Sequence, residues 1–363
     1  MKSSFVFNDT EITLERYPKT SNRSLQPFSN AELLGLDYIA EKKIEKVHIF
    51  NDRFGVWNCA LHDKEVITIW NYASQQKAIA QNLKLNNYSM NDQIFKTPLD
   101  DLKQVEMALL KVPKSLELFE LFLQQIHQAS TDTTEVVCGF MTKYFNASML
   151  TIASKYFEDL TQTKAWKKAR LLVLSKPKRE IEYTKLMNTI QWKEQELKQY
   201  FGVFSSGKID IGTQYLLEDL YIRDSEVAIL DLASGNGVIA LEALQLNSKA
   251  QVTLIDDSFL AVASSKLNVK DRATFLCDNE LSELESNSFD LVLSNPPFHF
   301  EFENNIEISI QLFKDVRRCL KERGRFVLVS NKHLNYKTHL QKEFRAVTQL
   351  KSNDKFEVLE CVK

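Results

Sequence analysis

Metal-binding and disulfide patterns are missing from this chain. Its five cysteines (Cys59, Cys138, Cys277, Cys319 and Cys361) stand far apart, and its six histidines include no HxxxH or HExxH spacing. Neither a zinc site nor a disulfide framework is supported, so reduced thiols and no metal are expected. No apolar run approaches the roughly 20 residues that a membrane-spanning helix needs. The first residues, MKSSFVFNDTEITLERYP, contain no apolar signal-peptide core. A cytoplasmic protein without a membrane partner is therefore expected. Glycine and proline are also scarce, at 9 and 7 of 363 residues, so the places where they cluster carry weight.

Two such places stand out: SGNG, residues 234–237, and NPPF, residues 295–298. Around them the pattern is regular from residue 227 onward. VAILDLAS, AQVTLIDD, ATFLCDN, FDLVLSN and GRFVLVSN read as buried strands. Helical patterns such as GVIALEALQLN, FLAVASSKLNV and IEISIQLFKDVRRCLKERG lie between them. This alternation predicts an α/β fold with a mostly parallel sheet covered on both faces. The last segment, AVTQLKSNDKFEVLECVK, reads as two strands around Ser352-Asn353-Asp354, a closing antiparallel hairpin.

The first half repeats the rhythm. VHIFNDRFGVWNCAL lies on ILDLASGNGVIALEAL with Gly55 against Gly237, and LLKVPK lies on LSNPPF with Pro113 against Pro297. On this alignment Asn71 stands against Asp256 and Lys111 against Asn295. Two tandem copies of one fold are expected, 1–180 and 181–363. The first has lost one glycine and carries Asn71 and Lys111 in place of Asp256 and Asn295, which suits support and substrate grip rather than catalysis.

In the second copy the strand ends carry the chemistry. Asp231 lies inside the first strand, and Gly235 and Gly237 flank Asn236 at the following turn. Glycine there lets a ligand approach the backbone next to a helix N-terminus. The full G-x-G-x-x-G pattern is absent, since Ala240 stands three residues after Gly237. Asp256 and Asp257 close the second strand, where a carboxylate can hold both hydroxyls of a ribose. Either could do so, and Asp257 could instead serve as a helix cap. Asp278 closes the third strand beside a possible adenine amino group. Together these ends fit an adenosine ligand without a pyrophosphate.

The fourth strand ends at Asn295-Pro296-Pro297-Phe298. Proline stops a sheet ladder. The Asn295 side-chain carbonyl and the Pro296 main-chain carbonyl can each accept one hydrogen of a planar NH2. The nitrogen lone pair is then free to face an electrophile, and Phe298 offers a ring to stack on. A sulfonium methyl donor needs no strong base, and His299 reads as a neighbour of the reacting groups. Such a loop serves any planar amine or amide: guanine N2, adenine N6 or a protein glutamine.

Net charge is −2, yet the distribution is uneven. KAWKKARLLVLSKPKR, 164–179, holds seven Lys or Arg and no acid, and KDVRRCLKERGR, 314–325, is a second basic run. Each could be a solvated face or a nucleic-acid surface. Trp166 among Lys164, Lys167, Lys168 and Arg170 favours base stacking for the first.

The chain resembles the large-subunit ribosomal RNA guanine-N2 methyltransferases that act on guanine 1835 of 23S rRNA. In the first half the resemblance rests on ITLERYP, FNDRFG, LLKVPKSL and KAWKKARL. In the second it rests on VFSSGKIDIG, GNGVIALEAL, AVASSKLNV, SNPPFHF, SNKHLNY and NDKFEVL. The small-subunit guanine-N2 enzymes are similar but less so at KAWKKAR and SNKHLNY. The resemblance implies two tandem class I methyltransferase-like (Rossmann-type) domains, only the second catalytic. It implies S-adenosylmethionine as donor and protein-poor 23S rRNA as partner; a monomer is expected. Asp231, Gly235, Asn236 and Gly237 fall on its donor motif, Asp256 on its ribose acid, Asp278 near its adenine position and Asn295 to Phe298 on its catalytic motif. Phe204 falls in a segment that caps the donor pocket. Ala233-Ser234-Gly235 replaces the family's usual Gly-Cys-Gly, and Ser206 replaces a usual arginine. The alternative to an enzyme is a non-catalytic RNA-binding or assembly protein, which the intact SGNG, IDDS and NPPF of the second half oppose.

Overall fold

The computed structural model describes residues 2–22, 24–91, 93–296 and 306–363. The chain divides into two compact units, Met1–Leu186 and Met187–Lys363. The first contains β1 (Lys2–Phe7), β2 (Thr10–Glu15), α1 (Asn30–Ile39), β3 (Lys46–Phe50), α2 (Val56–Ala60), β4 (Glu65–Ile69) and α3 (Ala73–Leu85). It continues with β5 (Gln93–Lys96), β6 (Val105–Lys111), α4 (Leu116–Gln128), β7 (Ser130–Met141), α5 (Ser148–Tyr156), β8 (Phe157–Gln162) and β9 (Ala169–Pro177). The second contains β10 (Met187–Trp192), β11 (Gln195–Tyr200), α6 (Ile211–Leu217), β12 (Ala228–Leu232), α7 (Val238–Leu246), β13 (Gln251–Asp256) and α8 (Phe259–Val269). It ends with β14 (Ala273–Cys277), β15 (Phe289–Ser294), α9 (Ile306–Cys319), β16 (Leu320–Asn331), α10 (Tyr336–Glu343), β17 (Ala346–Ser352) and β18 (Phe356–Val362).

Each unit is built on a seven-stranded sheet, ordered β5-β4-β3-β6-β7-β9-β8 in the first and β14-β13-β12-β15-β16-β18-β17 in the second. The two orders are identical, strand for strand. Five strands are parallel, and the last two form the antiparallel hairpin expected from the sequence. The central strands are apolar throughout because both faces are covered. Alternate residues feed different cores. Ile229, Leu291 and Leu293 pack with α7 residues such as Ala240 and Leu244. Leu230, Leu232 and Val292 pack with Phe313 and Val316 of α9. Each such fully buried side chain contributes about 1.5–3 kcal/mol. The sheet order reverses at β12, which lies between β13 and β15. In open sheets of this kind, ligands bind beyond the carboxyl ends of the strands at such a reversal, here β12 and β15.

A two-stranded hairpin precedes each sheet, β1-β2 in the first unit and β10-β11 in the second. A helical amide pins each one. Asn82 on α3 accepts from the Glu15 N–H at 2.8 Å and donates to the Glu15 and Phe54 carbonyls. Asn268 on α8 accepts from the Lys198 N–H at 2.8 Å and donates to the Lys198 and Asn236 carbonyls.

The repeat is real, but its register corrects the sequence alignment between the glycine turn and α3. Phe50 pairs with Ile69 as Leu232 pairs with Ile255. The helix caps Tyr72 and Ser258 agree with that register. Trp70, not Asn71, thus takes the place of Asp256, and Asn71 takes that of Asp257. Lys111 does stand in the place of Asn295, since Phe50 pairs with Leu110 and Leu232 with Ser294.

Candidate active site

Residues 233–237 form the turn from β12 into α7. Ala233 has a left-handed backbone, φ +59, as do Gly235 at +55 and Gly237 at +83. Gly237 is also tightly packed. A Cβ there would come within 3.0 Å of both Ser265 Cβ and Val269 Cγ2 on α8. Gly235 is different, because a Cβ there would meet nothing within 4 Å. Its α-carbon faces open space at the strand ends.

Asp231 is fully buried. Its Oδ2 accepts the Ala240 N–H at 3.0 Å, and Oδ1 has no partner among the described residues. Burial pushes its carboxyl up to about 8. Asp256 is half-buried. Its Oδ1 accepts from Ser258 N–H at 2.8 Å and its Oδ2 from Gly235 N–H at 2.9 Å. Burial raises this carboxyl to about 6 against the lowering effect of those two N–H groups, and the Asp257 charge raises it further. Asp257 is half-buried beside it, and its main-chain carbonyl lies 3.8 Å from Cys277 Sγ. Asp278 joins the group through its N–H on the Asp256 carbonyl at 3.0 Å, and its Oδ1 accepts from Glu280 N–H.

Asn236 is spent internally. Its Nδ2 donates to Gln199 Oε1 at 2.9 Å, linking the glycine turn to β11. Gln199 is buried, and sequence reasoning missed it. Phe204 lies on the loop after β11 and is 72% exposed. Asn295 is half-buried and Pro296 buried at the end of β15. Pro297 and Phe298, with His299, lie outside the described residues. Asn295 Nδ2 donates to Asp210 Oδ2 and to Thr213 Oγ1, each at 2.9 Å, and Oδ1 has no partner among the described residues. Asp210 and Thr213 were also missed. Their signal was present in IDIGT, an aspartate cap on the following helix.

The arrangement fits an adenosine-type methyl donor. Open space lies at Gly235, and four buried polar atoms without partners among the described residues mark the adjoining strand ends: Asp231 Oδ1, Ser234 Oγ, Asn279 Oδ1 and Asn295 Oδ1. Native structures rarely leave such atoms unsatisfied unless a ligand or water completes them.

Comparison with known proteins agrees. Residues 2–179 match the model of the RLMG N-terminal domain, and residues 194–360 match that of the methyltransferase small domain. The chain joins an RLMG N-terminal domain to a methyltransferase small domain. It is a methyltransferase. Among solved structures it is similar to the T. thermophilus 16S rRNA N2 G1207 methyltransferase (RsmC), determined in complex with AdoMet and guanosine. That likeness covers 100% of this chain and 98% of that chain at 19% identity, with a TM-score of 0.77, and it establishes the fold over the whole length. S-adenosylmethionine dependent methyltransferases from Mesorhizobium loti and Aquifex aeolicus match 42% of this chain. They match 98% and 89% of their own chains at 15% and 13% identity, each with a TM-score of 0.34.

The RLMG N-terminal domain repeats the strand order of the methyltransferase domain with different residues at the strand ends. Arg53 stands where Gly235 leaves space, and Trp70 where Asp256 stands. Asp52, raised to about 7 by burial, accepts the N–H groups of Val56, Trp57 and Asn58. The start of α2 is thereby satisfied by its own chain, leaving those groups nothing to offer a ligand. Lys111, in the place of Asn295, pairs with Glu32 and donates to Ser29 Oγ at 2.6 Å.

The first basic run of the RLMG N-terminal domain forms the tip of the β8-β9 hairpin. Trp166 and Ala169 exchange both main-chain bonds, at 2.9 and 2.7 Å, around Lys167 and Lys168. These two lysines take left-handed φ values of +43 and +65, the backbone of a tight hairpin turn. Lys164, Trp166, Lys167 and Lys168 are exposed, and Lys167 Nζ lies 4.5 Å from the Trp166 ring centroid. The tip is fixed from below: Asn30 Nδ2 donates to the Lys167 carbonyl, and Thr142 N–H to that of Lys168. Lys143, exposed Tyr144 and exposed Phe145 adjoin it on a 3₁₀ turn beginning at Thr142, which only the topology reveals. Arg170 is half-buried against Gln162 rather than at the tip. The second basic run, in the methyltransferase domain, is largely structural. Arg318 donates to the Leu284 carbonyl, Lys321 pairs with Asp290, and Arg325 is buried between Glu226 and Glu360. Among the described residues no helix is long and apolar enough to cross a membrane.

Proposed function

We propose that this protein transfers a methyl group from S-adenosylmethionine to the exocyclic N2 of a guanine in ribosomal RNA. Within that class we assign guanine 1835 of 23S rRNA, in protein-poor RNA, with the enzyme acting as a cytoplasmic monomer. The observation that carries the chemistry is Asn295, with both amide hydrogens engaged and Oδ1 without a partner among the described residues, at the strand end next to the open space of Gly235. The ribosomal substrate is supported by the RLMG N-terminal domain match and by the resemblance of the whole sequence. The likeness in fold to an rRNA N2 guanine methyltransferase agrees.

In this reading the donor supplies a methyl group already activated by its sulfonium. Asp256 or Asp257 holds the ribose, Asp278 lies at the adenine, and Gly235 admits the donor to the backbone. Asp231 and Gly237 shape the turn beneath it, Asn236 holds that turn to β11, and Phe204 closes the pocket. Asn295 Oδ1 and the Pro296 carbonyl each accept one N–H of the guanine amine, leaving its lone pair free, and Pro297 and Phe298 belong to the same motif in the sequence. The proton lost after transfer goes to water, so no strong base is needed. Lys164, Trp166, Lys167, Lys168 and Arg170 belong to the RNA-binding surface.

The test is to incubate the full chain with radiolabelled S-adenosylmethionine and deproteinised 23S or 16S rRNA lacking the modification, then to map the label. N2-methylguanine at one position of 23S rRNA is expected. Label only on 16S rRNA would overturn the 23S assignment and keep the chemistry. Donor binding without label on either RNA would overturn the substrate class.

A further inference from the structure

We propose that Asp210 and Thr213 are positioning residues that lock the Asn295 amide with its carbonyl oxygen toward the substrate, and so determine that position 295 works as asparagine. The inference rests on the reading of Asn295 given above and adds the device that orients it. The two ends of an amide are nearly the same size, so only its neighbours decide which end faces the site. Here both hydrogens of Asn295 Nδ2 are taken, by Asp210 Oδ2 and Thr213 Oγ1, at 2.9 Å each. Turning the amide over would bring Oδ1 against a carboxylate and present N–H groups to an amine that itself donates.

The Asp210 carboxylate is itself held in place. As the cap of α6 its Oδ2 also accepts the Gly212 and Thr213 N–H groups, at 2.8 and 3.2 Å. Gly212 leaves room for this junction. A Cβ there would stand 2.9 Å from Asp210 Oδ2 and 3.6 Å from Asn295 Nδ2.

The first unit supplies an independent observation. Its equivalent strand-end residue, Lys111, also reaches the cap and third residue of a helix, Ser29 and Glu32 of α1, as Asn295 reaches those of α6. The link from strand end to helix start thus belongs to the fold. In the second unit its chemistry has become two acceptors facing one amide. A carboxylate at position 295 would face Asp210 instead, and the two could not both stay ionised in contact.

The experiment uses the full chain, deproteinised rRNA as methyl acceptor and calorimetry for donor affinity. Asn295→Asp is expected to lower kcat at least 100-fold with donor Kd within twofold. Adding Asp210→Asn, which keeps a helix-capping oxygen and restores an N–H to face residue 295, is expected to recover at least tenfold. Thr213→Val is expected to lower kcat about tenfold, and Thr213→Ser to stay within twofold of the parent. A double variant no better than Asn295→Asp, or a fully active Thr213→Val, would overturn the proposal. A readout without turnover separates this proposal from the function it rests on. In protein labelled with 15N-asparagine, the Asn295 side-chain NH2 signals, assigned by their loss in Asn295→Asp, are expected to exchange slowly with water. Exchange at least tenfold faster is expected in Asp210→Ser with Thr213→Val. Unprotected signals in the parent protein would overturn the lock even if RNA is methylated. Protected signals with no methylation of any RNA would retain the lock and overturn the function.

Discussion

Asn82 and Asn268 make the same set of hydrogen bonds in their own units: both main-chain groups of one hairpin residue, and the carbonyl just before the left-handed glycine. Ten residues separate each from its helix cap, Tyr72 or Ser258. The consequences of removing them should differ. Asn82 is fully buried, so Asn82→Ala is expected to cost about 3 kcal/mol, about 1 kcal/mol for each lost bond. Asn268→Ala should cost about 2 kcal/mol and also weaken S-adenosylmethionine binding, because Asn268 holds the carbonyl of Asn236 in the donor turn. Denaturant unfolding and calorimetry on both variants check this. Equal donor affinity in the two would show that the turn needs no such tie.

Asp256 sets a pH dependence. Its folded-state pKa of about 6 lies above the ordinary carboxylate value because of burial, so the folded protein holds this proton more firmly than the unfolded chain. Its contribution to stability therefore falls as pH rises from about 4 to about 6 and is flat above. Donor binding runs the other way. A ribose needs an ionised acceptor, so the donor Kd should be about tenfold weaker at pH 5 than at pH 8. Asp256→Asn should weaken binding at pH 8 and remove that dependence. Calorimetry across the range decides, and an unchanged profile in the variant would move the ribose contact to Asp257.

The two glycines of the donor turn should separate stability from binding. Gly235→Ala places a Cβ in open space at φ +55, costing about 1 kcal/mol of backbone strain and obstructing the donor. Gly237→Ala adds a collision with Ser265 and Val269, for about 2–4 kcal/mol in all. Thermal unfolding should rank Gly237→Ala as the less stable, whereas calorimetry should rank Gly235→Ala as the weaker binder relative to its stability.

The basic hairpin tip should act through phosphate charge and one stacking ring. Changing Lys164, Lys167 and Lys168 to glutamate should weaken RNA binding and flatten its dependence on log salt by about 2, at about 0.7 per phosphate contact. Trp166→Ala should weaken binding by about 1–3 kcal/mol with little change in that slope. Binding titrations at several salt concentrations measure both. An unaltered slope would return the lysines to a solvated turn.

The architecture was readable because buried parallel strands are long apolar runs and the glycine turns punctuate them. Gly55 and Gly237 gave the right anchor for the repeat. The misplacement of Asn71 came from allowing three extra residues between the glycine turn and the end of the second strand in the second copy, where the ladder pairing of Ile69 and Ile255 requires four. Asp256 and Asn295 were legible as strand ends, because an acid closing an apolar run and a proline after Asn295 mark where each ladder stops. Gln199, Asp210 and Thr213 were not, because their value comes from contacts across 37, 85 and 82 residues. Composition treats a basic run as one object. The fold shows that Lys167 projects from a tip while Arg325, in the other run, is locked to Glu226.

The central claim is that of two units with one fold only the second holds the methyl donor. Calorimetric titration of the full chain with S-adenosylmethionine tests it directly. One site per chain, weakened by Gly235→Ala and unaffected by Arg53→Gly, is the result expected. Two sites would contradict the closure of the first unit by Arg53, Asp52 and Trp70. No binding would contradict the assignment of the second unit as a working site.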